Sequence, residues 1–447
     1  MKKRILIASV MLLLVLATAL VGPGVSPAIG ASTLTVYYYT GMNRNTGPVS
    51  GLSVYLKTAA GADVASKGGV SGSATFTGLA NGDYKVVSVK GASTRTDPIT
   101  VSGDTPMDIS CGKLTTDYHT GSSGTGDPVT GLSVYVKWTA NNGDVASQGG
   151  VNGSTSFALL SGDYTVVSVK GASTRTDAAT VASDNTLNVP CGKLITNYNT
   201  NNDGTAISSG SGTNVSGVSV YVKWAANNGD VASQGGVNGT TSFALLAGNY
   251  TVVSVKGAST RTDTPYTVAS DIPANIPCGK LIATYYANNN KAWGMTGLSV
   301  YVKWAANNGD VASQGGVNNE TSFALLSGAY KVVSVKGASS RTDSITVASD
   351  NTLDVPVARF RVAVVKPDFT AQTGVSVYVK IAATNGDVIS AGGVNGNVDF
   401  SLLQSDNGGG AGAYKFIAVK GSSTAQTQAS ANEVPPPGLA GVILMIP

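Results

Sequence analysis

Few side chains in this sequence could carry out chemistry. Hydrolytic or transfer chemistry needs a base or nucleophile held by a third group, yet the chain has one histidine, His119, with no recurring acidic partner. A Ser, His and acid triad is therefore not expected. Cys111, Cys191 and Cys278 each precede Gly-Lys-Leu; a disulfide needs Cα atoms within about 7 Å, so residues this far apart in equivalent contexts read as small buried apolar side chains, with a cross-link between chains as the alternative. Asn201-Asn202-Asp203-Gly204 and the recurring Asn-Gly-Asp turns offer oxygen ligands for calcium. Calcium takes six or more oxygens, whereas each turn holds one carboxylate, so these read as plain hairpin turns. Arg95, Arg175, Arg261 and Arg341 recur in Ser-x-Arg-Thr-Asp. Their guanidinium groups suit a ladder or an anionic polymer, but pairing with Asp97, Asp177, Asp263 and Asp343 is the plainer expectation. No metalloprotease His pair, phosphate-cradling loop or dinucleotide fingerprint occurs. We assign no catalytic, cofactor-binding or metal-ligating residue and expect a protein that is not an enzyme.

The elements that position these residues are repeated. From about residue 31 onward, one unit of roughly 80 residues is written five times. Gly-Leu-Ser-Val-Tyr stands at Gly51 and Gly131, recurs at Gly297, and is echoed at Gly217 and Gly374. Tyr-x-Val-Val-Ser-Val-Lys-Gly-Ala-Ser begins at Tyr84, Tyr164, Tyr250 and Tyr330, and survives loosely from Tyr414. We divide the chain into a signal peptide, 1–30, and β-sandwich repeats at 31–113, 114–193, 194–280, 281–359 and 360–447.

Within a unit the apolar residues alternate. Val218, Val220, Val222 and Trp224 share one face of a strand, and Ser219, Tyr221 and Lys223 the other. Asn227-Asn228-Gly229-Asp230 closes it as a hairpin. A short strand from Val231 is expected to end in turns at Gly235-Gly236 and Asn238-Gly239, before strands through Phe243 and from Tyr250 to Lys256. No stretch shows helical periodicity. The fold class expected is all-β: five tandem, Greek-key-like antiparallel sandwiches. The junction Asn188-Val-Pro190-Cys191-Gly192-Lys193 contains no linker. At about 3.3 Å per strand residue a unit spans roughly 30 Å, which predicts an extended rod of roughly 150 Å.

Leu160-Ser-Gly162-Asp-Tyr164 and Leu246-Ala-Gly248-Asn-Tyr250 match the corner tyrosine of Ig-like sandwiches, whose hydroxyl ties down a connection between sheets. Together with the Gly-x-Ser-Val-Tyr and Phe-x-x-Leu strands, they make all five units resemble the carboxypeptidase regulatory-like, prealbumin-like or Cna B-type modules of prokaryotic surface proteins. That resemblance implies stalks and adhesins, and in some members a Lys to Asn isopeptide bond promoted by a buried acid. Here Lys57, Lys137, Lys223, Lys303 and Lys380 lie on the outward face and no repeated Glu accompanies them, so ordinary solvated lysines are expected.

Lys2, Lys3 and Arg4, an apolar run from Ile5 to Val21 and a small-residue stretch to Gly30 read as an export signal. The closing Gly441 to Pro447 is too short to cross a bilayer and reads as the last strand of unit five, so no membrane span is expected after signal removal. Three of the four excess positive charges belong to Lys2, Lys3 and Arg4, leaving one for the rest of the chain. Nucleic acid is not an implied partner. Charged residues are only 12% of the chain, which leaves strand edges nearly unprotected against association. The loop after the first strand varies most, at 41–50, 120–130, 200–216, 288–296 and 366–373, where recognition tends to reside. Tyr37, Tyr38, Tyr39 and Trp293 could stack on a glycan if exposed, although alternation puts Tyr38 and Trp138 toward the core. Asn152, Asn214, Asn238, Asn249 and Asn319 begin glycan acceptor sequons. The expected role is a secreted or cell-surface structural protein, a stalk, filament or surface-layer component that associates with itself or with other surface components. The alternative is an adhesin or carbohydrate-binding protein.

Overall fold

Strict alternation builds the strands. In repeat one Leu34 and Val36 point inward from β1 (Ser32–Tyr37), and Leu52, Val54 and Leu56 from β2 (Leu52–Thr58). The remaining strands are β3 (Asp63–Val70), β4 (Ser73–Leu79), β5 (Gly82–Lys90), β6 (Ser93–Val101) and β7 (Thr105–Asp108). One sheet has the order β4-β1-β7 and the other β3-β2-β5-β6. All pairs are antiparallel except β1 with β7, which run parallel. This computed structural model describes residues 31–41, 44, 47–121, 125–200, 212–287, 291, 293–404, 413–431 and 439–447. The export signal and the Asn201 to Gly204 turn lie outside them.

The same two sheets recur four more times, so the chain is an all-β series of sandwiches, antiparallel as expected except that the first and seventh strands of every repeat run parallel. The first strands of repeats two to five are Cys111–Asp117, Cys191–Asn197, Cys278–Thr284 and Val357–Val365. The Cys-Gly-Lys segments thus already belong to a first strand. No helix among the described residues is long and apolar enough to cross a membrane. Contacts divide the chain into two compact units, one holding repeat one together with Ala158–Leu160 and the other holding the remainder.

One local expectation needs correction. Gly235-Gly236 is not a turn, because the strand runs unbroken over Asp230–Asn238. Gln234 opposes Val220 and Val237 opposes Val218, so the pair absorbs an extra residue as a bulge, with Gly236 at φ +65°. A Gly pair satisfies a bulge as readily as a turn, and alternation alone does not separate the two. In repeat three the sixth strand is broken into Ser259–Thr262 and Tyr266–Val268, because it carries one residue more than its partner between the pairs Val253 with Thr262 and Tyr250 with Tyr266, whereas Pro98 of repeat one sits within an unbroken strand.

The cores of repeats one to four are each sealed by one buried polar pair between the sheets. Tyr38, Tyr118, Tyr198 and Tyr285 bond the hydroxyls of Ser88, Ser168, Ser254 and Ser334 at 2.8–2.9 Å. Repeat five carries Val364 and Ala418 at these places, both fully buried. The pair is replaced as a whole, which avoids orphaning one hydroxyl. We predict that Tyr198→Phe lowers the urea midpoint of unfolding by the equivalent of about 1–2 kcal/mol. Adding Ser254→Ala should recover part of that loss, and additive losses would contradict a coupled pair.

Candidate functional site: the junction between repeats

In the second unit, repeats two to five meet through backbone. The hairpin Lys170-Gly171-Ala172-Ser173 joins the fifth and sixth strands of repeat two, and its tip lies against the Asn-Gly-Asp turn of repeat three. The Ala172 N–H donates to the Asp230 carbonyl at 2.9 Å; Ala258 donates to Asp310 at 2.9 Å and Ala338 to Asp387 at 2.7 Å. Glycine permits this approach. A Cβ on Gly171, Gly257 or Gly337 would stand 2.5–2.6 Å from those carbonyl oxygens, and one on Gly229 or Gly309 would stand 2.4 Å from the Ala172 or Ala258 methyl. A second backbone bond lies nearby, where Ala247, Ser327 and Gln404 donate to the Pro190, Pro277 and Pro356 carbonyls at 2.9–3.1 Å.

The corner tyrosines do more than close their own turns. Tyr250, Tyr330 and Tyr414 donate to the Leu246, Leu326 and Leu403 carbonyls at 2.6–2.7 Å. The same hydroxyls bond Ser173, Ser259 and Ser339 of the preceding repeat, the last at 2.8 Å. Trp224 and Trp304 stack edge-on against Tyr250 and Tyr330 at 5.1 Å. Apolar packing crosses the junction too: Leu326 lies in the core of repeat three beside Cys278, and Leu403 in that of repeat four. In the first unit Leu160 is buried with Cys111 in the core of repeat one.

The recurring arginines are ion-paired, Arg95 with Asp97, Arg175 with Asp177, Arg261 with Asp263 and Arg341 with Asp343, at 2.6–2.7 Å. Arg341 also donates to the Gln404 carbonyl of repeat five at 3.1 Å. The five outward lysines each pair with an Asp on the next strand, Lys57 with Asp63, Lys137 with Asp144, Lys223 with Asp230, Lys303 with Asp310 and Lys380 with Asp387. They are outward, as alternation required, but half-buried and paired rather than freely solvated. Cys111, Cys191 and Cys278 are free and buried, and burial pushes each thiol up to about 12. A thiol that far above neutrality holds almost no reactive thiolate.

Two variable loops reach the following repeat. Asp127 pairs with Lys193 at 2.5 Å. Trp293, 49% exposed, carries the Arg359 guanidinium 3.1 Å over its ring, and Arg359 pairs with Asp399. Lys193 and Arg359 occupy the same place in their first strands. His119 sits beside Asp117 in a cleft of about 270 Å³ that also takes in Pro190, Cys191 and Ser270. No group of three or more His, Cys, Asp or Glu side chains able to hold a metal occurs among the described residues. Tyr38 is buried, and the face of Tyr37 is covered by Arg44 at 3.9 Å. Sequence reading missed the Ser at the start of the sixth strand and the paired glycines. Their signal was the verbatim return of Lys-Gly-Ala-Ser opposite Asn-Gly-Asp.

Gly257→Ala forces a left-handed φ that costs an alanine about 1–2 kcal/mol, besides the contact with Asp310. Calorimetry should then resolve repeats three and four as separate transitions, and one unchanged transition would contradict the coupling. Burial raises Cys278, Tyr250 and Tyr330 to about 12 from ordinary values of 9.0 and 10.0. Their contribution is complete below about pH 9 and is lost as pH rises toward 12. Circular dichroism melts from pH 8 to 12 should show Tm falling across that window; a flat Tm would contradict it.

No family model matches the chain, and no curated protein matches it. Among solved structures, the TIE protein of Bacillus anthracis aligns at 10% identity over 82% of this chain and 72% of its own, with a TM-score of 0.18. BcpA, the major pilin subunit of Bacillus cereus, aligns at 10% identity over 73% of this chain and 99% of its own, TM-score 0.19. The major pilin RrgB of Streptococcus pneumoniae aligns at 11% identity over 93% of this chain and 100% of its own, TM-score 0.15. At these values the likeness carries no functional argument, and the β-sandwich architecture rests on the strand pairing described above.

Proposed function

We propose that the chain is a non-enzymatic structural protein of the cell surface or extracellular space, exported through residues 1–30, whose work is to hold things at a fixed spacing. The observation that carries this reading is the linkerless junction. Among repeats two to five, backbone bonds, a tyrosine hydroxyl and a leucine from one repeat engage its predecessor at matching positions, so hinge motion there would break several contacts at once. Stiff serial coupling of this kind suits a stalk, filament or layer component. The five sandwiches would then extend as a rod, with units at 31–113, 114–193, 194–280, 281–359 and 360–447. The sheet orders and the corner tyrosines support placing the repeats among carboxypeptidase regulatory-like, prealbumin-like or Cna B-type modules.

The carbohydrate-binding alternative is weakened at Tyr38, which is buried, and at Tyr37, whose face Arg44 covers, while Trp293, 49% exposed, carries Arg359 over its ring. Small-angle scattering of the purified protein tests the reading. We expect a rod of roughly 150 Å, from about 3.3 Å per strand residue, with little change in maximum dimension between low and high salt. A compact particle, or a broad distribution of lengths, would refute a stiff spacer.

A further inference from the structure

The seventh strand of repeat five departs from its four counterparts. It runs seven residues, Leu439–Met445, where those of repeats one, two, three and four run four, Thr105–Asp108, Asn185–Asn188, Ile272–Asn275 and Asn351–Asp354. Registers against the first strands place Leu439, Ile443 and Met445 where the other repeats carry polar residues or proline. Leu439 stands where the others have Asp104, Asp184, Asp271 and Asp350. Ile443 replaces Asp108, Asn188, Asn275 and Asp354. Met445 replaces Ser110, Pro190, Pro277 and Pro356. All three are outward, at 46%, 64% and 41% exposure. Half-buried Ala363 and Val365 lie directly beside Ile443 and Met445 on the neighbouring strand.

This strand is also an edge. It pairs with Val357–Val365 on one side, and among the described residues nothing pairs with the other. An open row of N–H and C=O groups without charge or proline is what natural edges avoid. The third strands, also edges, are interrupted by Gly-Gly bulges, and the other seventh strands are short, with acids, amides, Thr or Pro at their outward positions. Only another strand satisfies both the backbone groups and the apolar side chains.

The geometry points to a second copy of this chain as that partner, with Leu439–Met445 pairing antiparallel to itself about Val442. Leu439 then faces Met445, Gly441 faces Ile443, and outward residues meet only outward residues, as a period of two demands. An uncharged segment places no like charges opposite one another. The Arg361 side chains stay three strand spacings apart, about 14 Å, and each is neutralised by its own Asp399. The contact is isologous, so it closes as a dimer joined through the fifth repeats. This deepens the structural reading by naming the partner and the strand, and it rests on that reading.

Sedimentation velocity of the purified protein over a concentration series tests it against the variant Ile443→Asp with Met445→Ser. Both replacements are the residues repeat one carries at these places, so folding is retained, with an unchanged circular dichroism melt as the control. We expect a monomer to dimer transition in the parent that moves to at least about tenfold higher concentration in the variant. A second variant, Gly441→Cys with Ile443→Cys, should cross-link as a dimer under mild oxidation, while the buried native thiols stay unreactive. A parent that stays monomeric throughout, or a variant that dimerises equally, overturns the pairing. So does phosphatidylcholine-vesicle binding by the monomeric parent that the variant loses, which would assign the apolar face to a lipid surface. Rods that never dimerise would sink this proposal while leaving the stalk intact, whereas a compact particle in scattering would remove the stalk.

Discussion

A leucine from one repeat completes the core of the repeat before it, and the junctions depend on this contact. A three-on-four-stranded sandwich of this size has little interior, and its end is open where the last strand leaves. Leu326 fills that end in repeat three and Leu403 in repeat four. Burying a leucine side chain is worth about 1.5–3 kcal/mol, more than a typical hydrogen bond between neutral groups. A linker would withdraw the leucine. The chain therefore passes from Pro190, Pro277 or Pro356 straight into the next first strand, and the hairpin tips must touch. Once they touch, a Cβ at Gly171, Gly257 or Gly337 has no room.

The polar groups around these contacts come and go as sets. Tyr and Ser become Val364 and Ala418 together, and the Arg and Asp of the sixth strand become Ala425 and Thr427 together. Removing one member of a buried pair costs the desolvation of the other, whereas removing both is nearly neutral. Repeat five shows that the sandwich persists without either pair. The corner tyrosine is kept, and Tyr414 still bonds Leu403 within its own repeat and Ser339 in the preceding one.

Loops that vary from unit to unit invite a reading as recognition surfaces, yet Asp127 and Trp293 are spent on Lys193 and Arg359 of the next repeat. In these two loops an acid meets a lysine and an indole meets an arginine. The solvent-facing change that breaks the repeat's polar pattern is instead on a strand, where Leu439, Ile443 and Met445 replace acids, amides, Ser and Pro.

Much of the fold was legible from residues alone. Period-two alternation assigned the inward face from Val218 to Trp224 correctly, the Leu-x-Gly-x-Tyr pattern marked the corner, and the closing apolar residues read as a strand. These are local properties, because strand geometry sends neighbouring side chains to opposite faces whatever lies beyond. The rest is non-local. Whether Gly235-Gly236 turns or bulges depends on the partner strand. That Tyr250 reaches Ser173, that Arg359 lies over Trp293, and that Leu326 belongs to its neighbour's core follow only from how successive sandwiches abut. The sequence determined that there are five alternating all-β units without linkers. Only the tertiary structure decided what their ends touch, because a side chain's pattern states which way it points but not which surface it meets there.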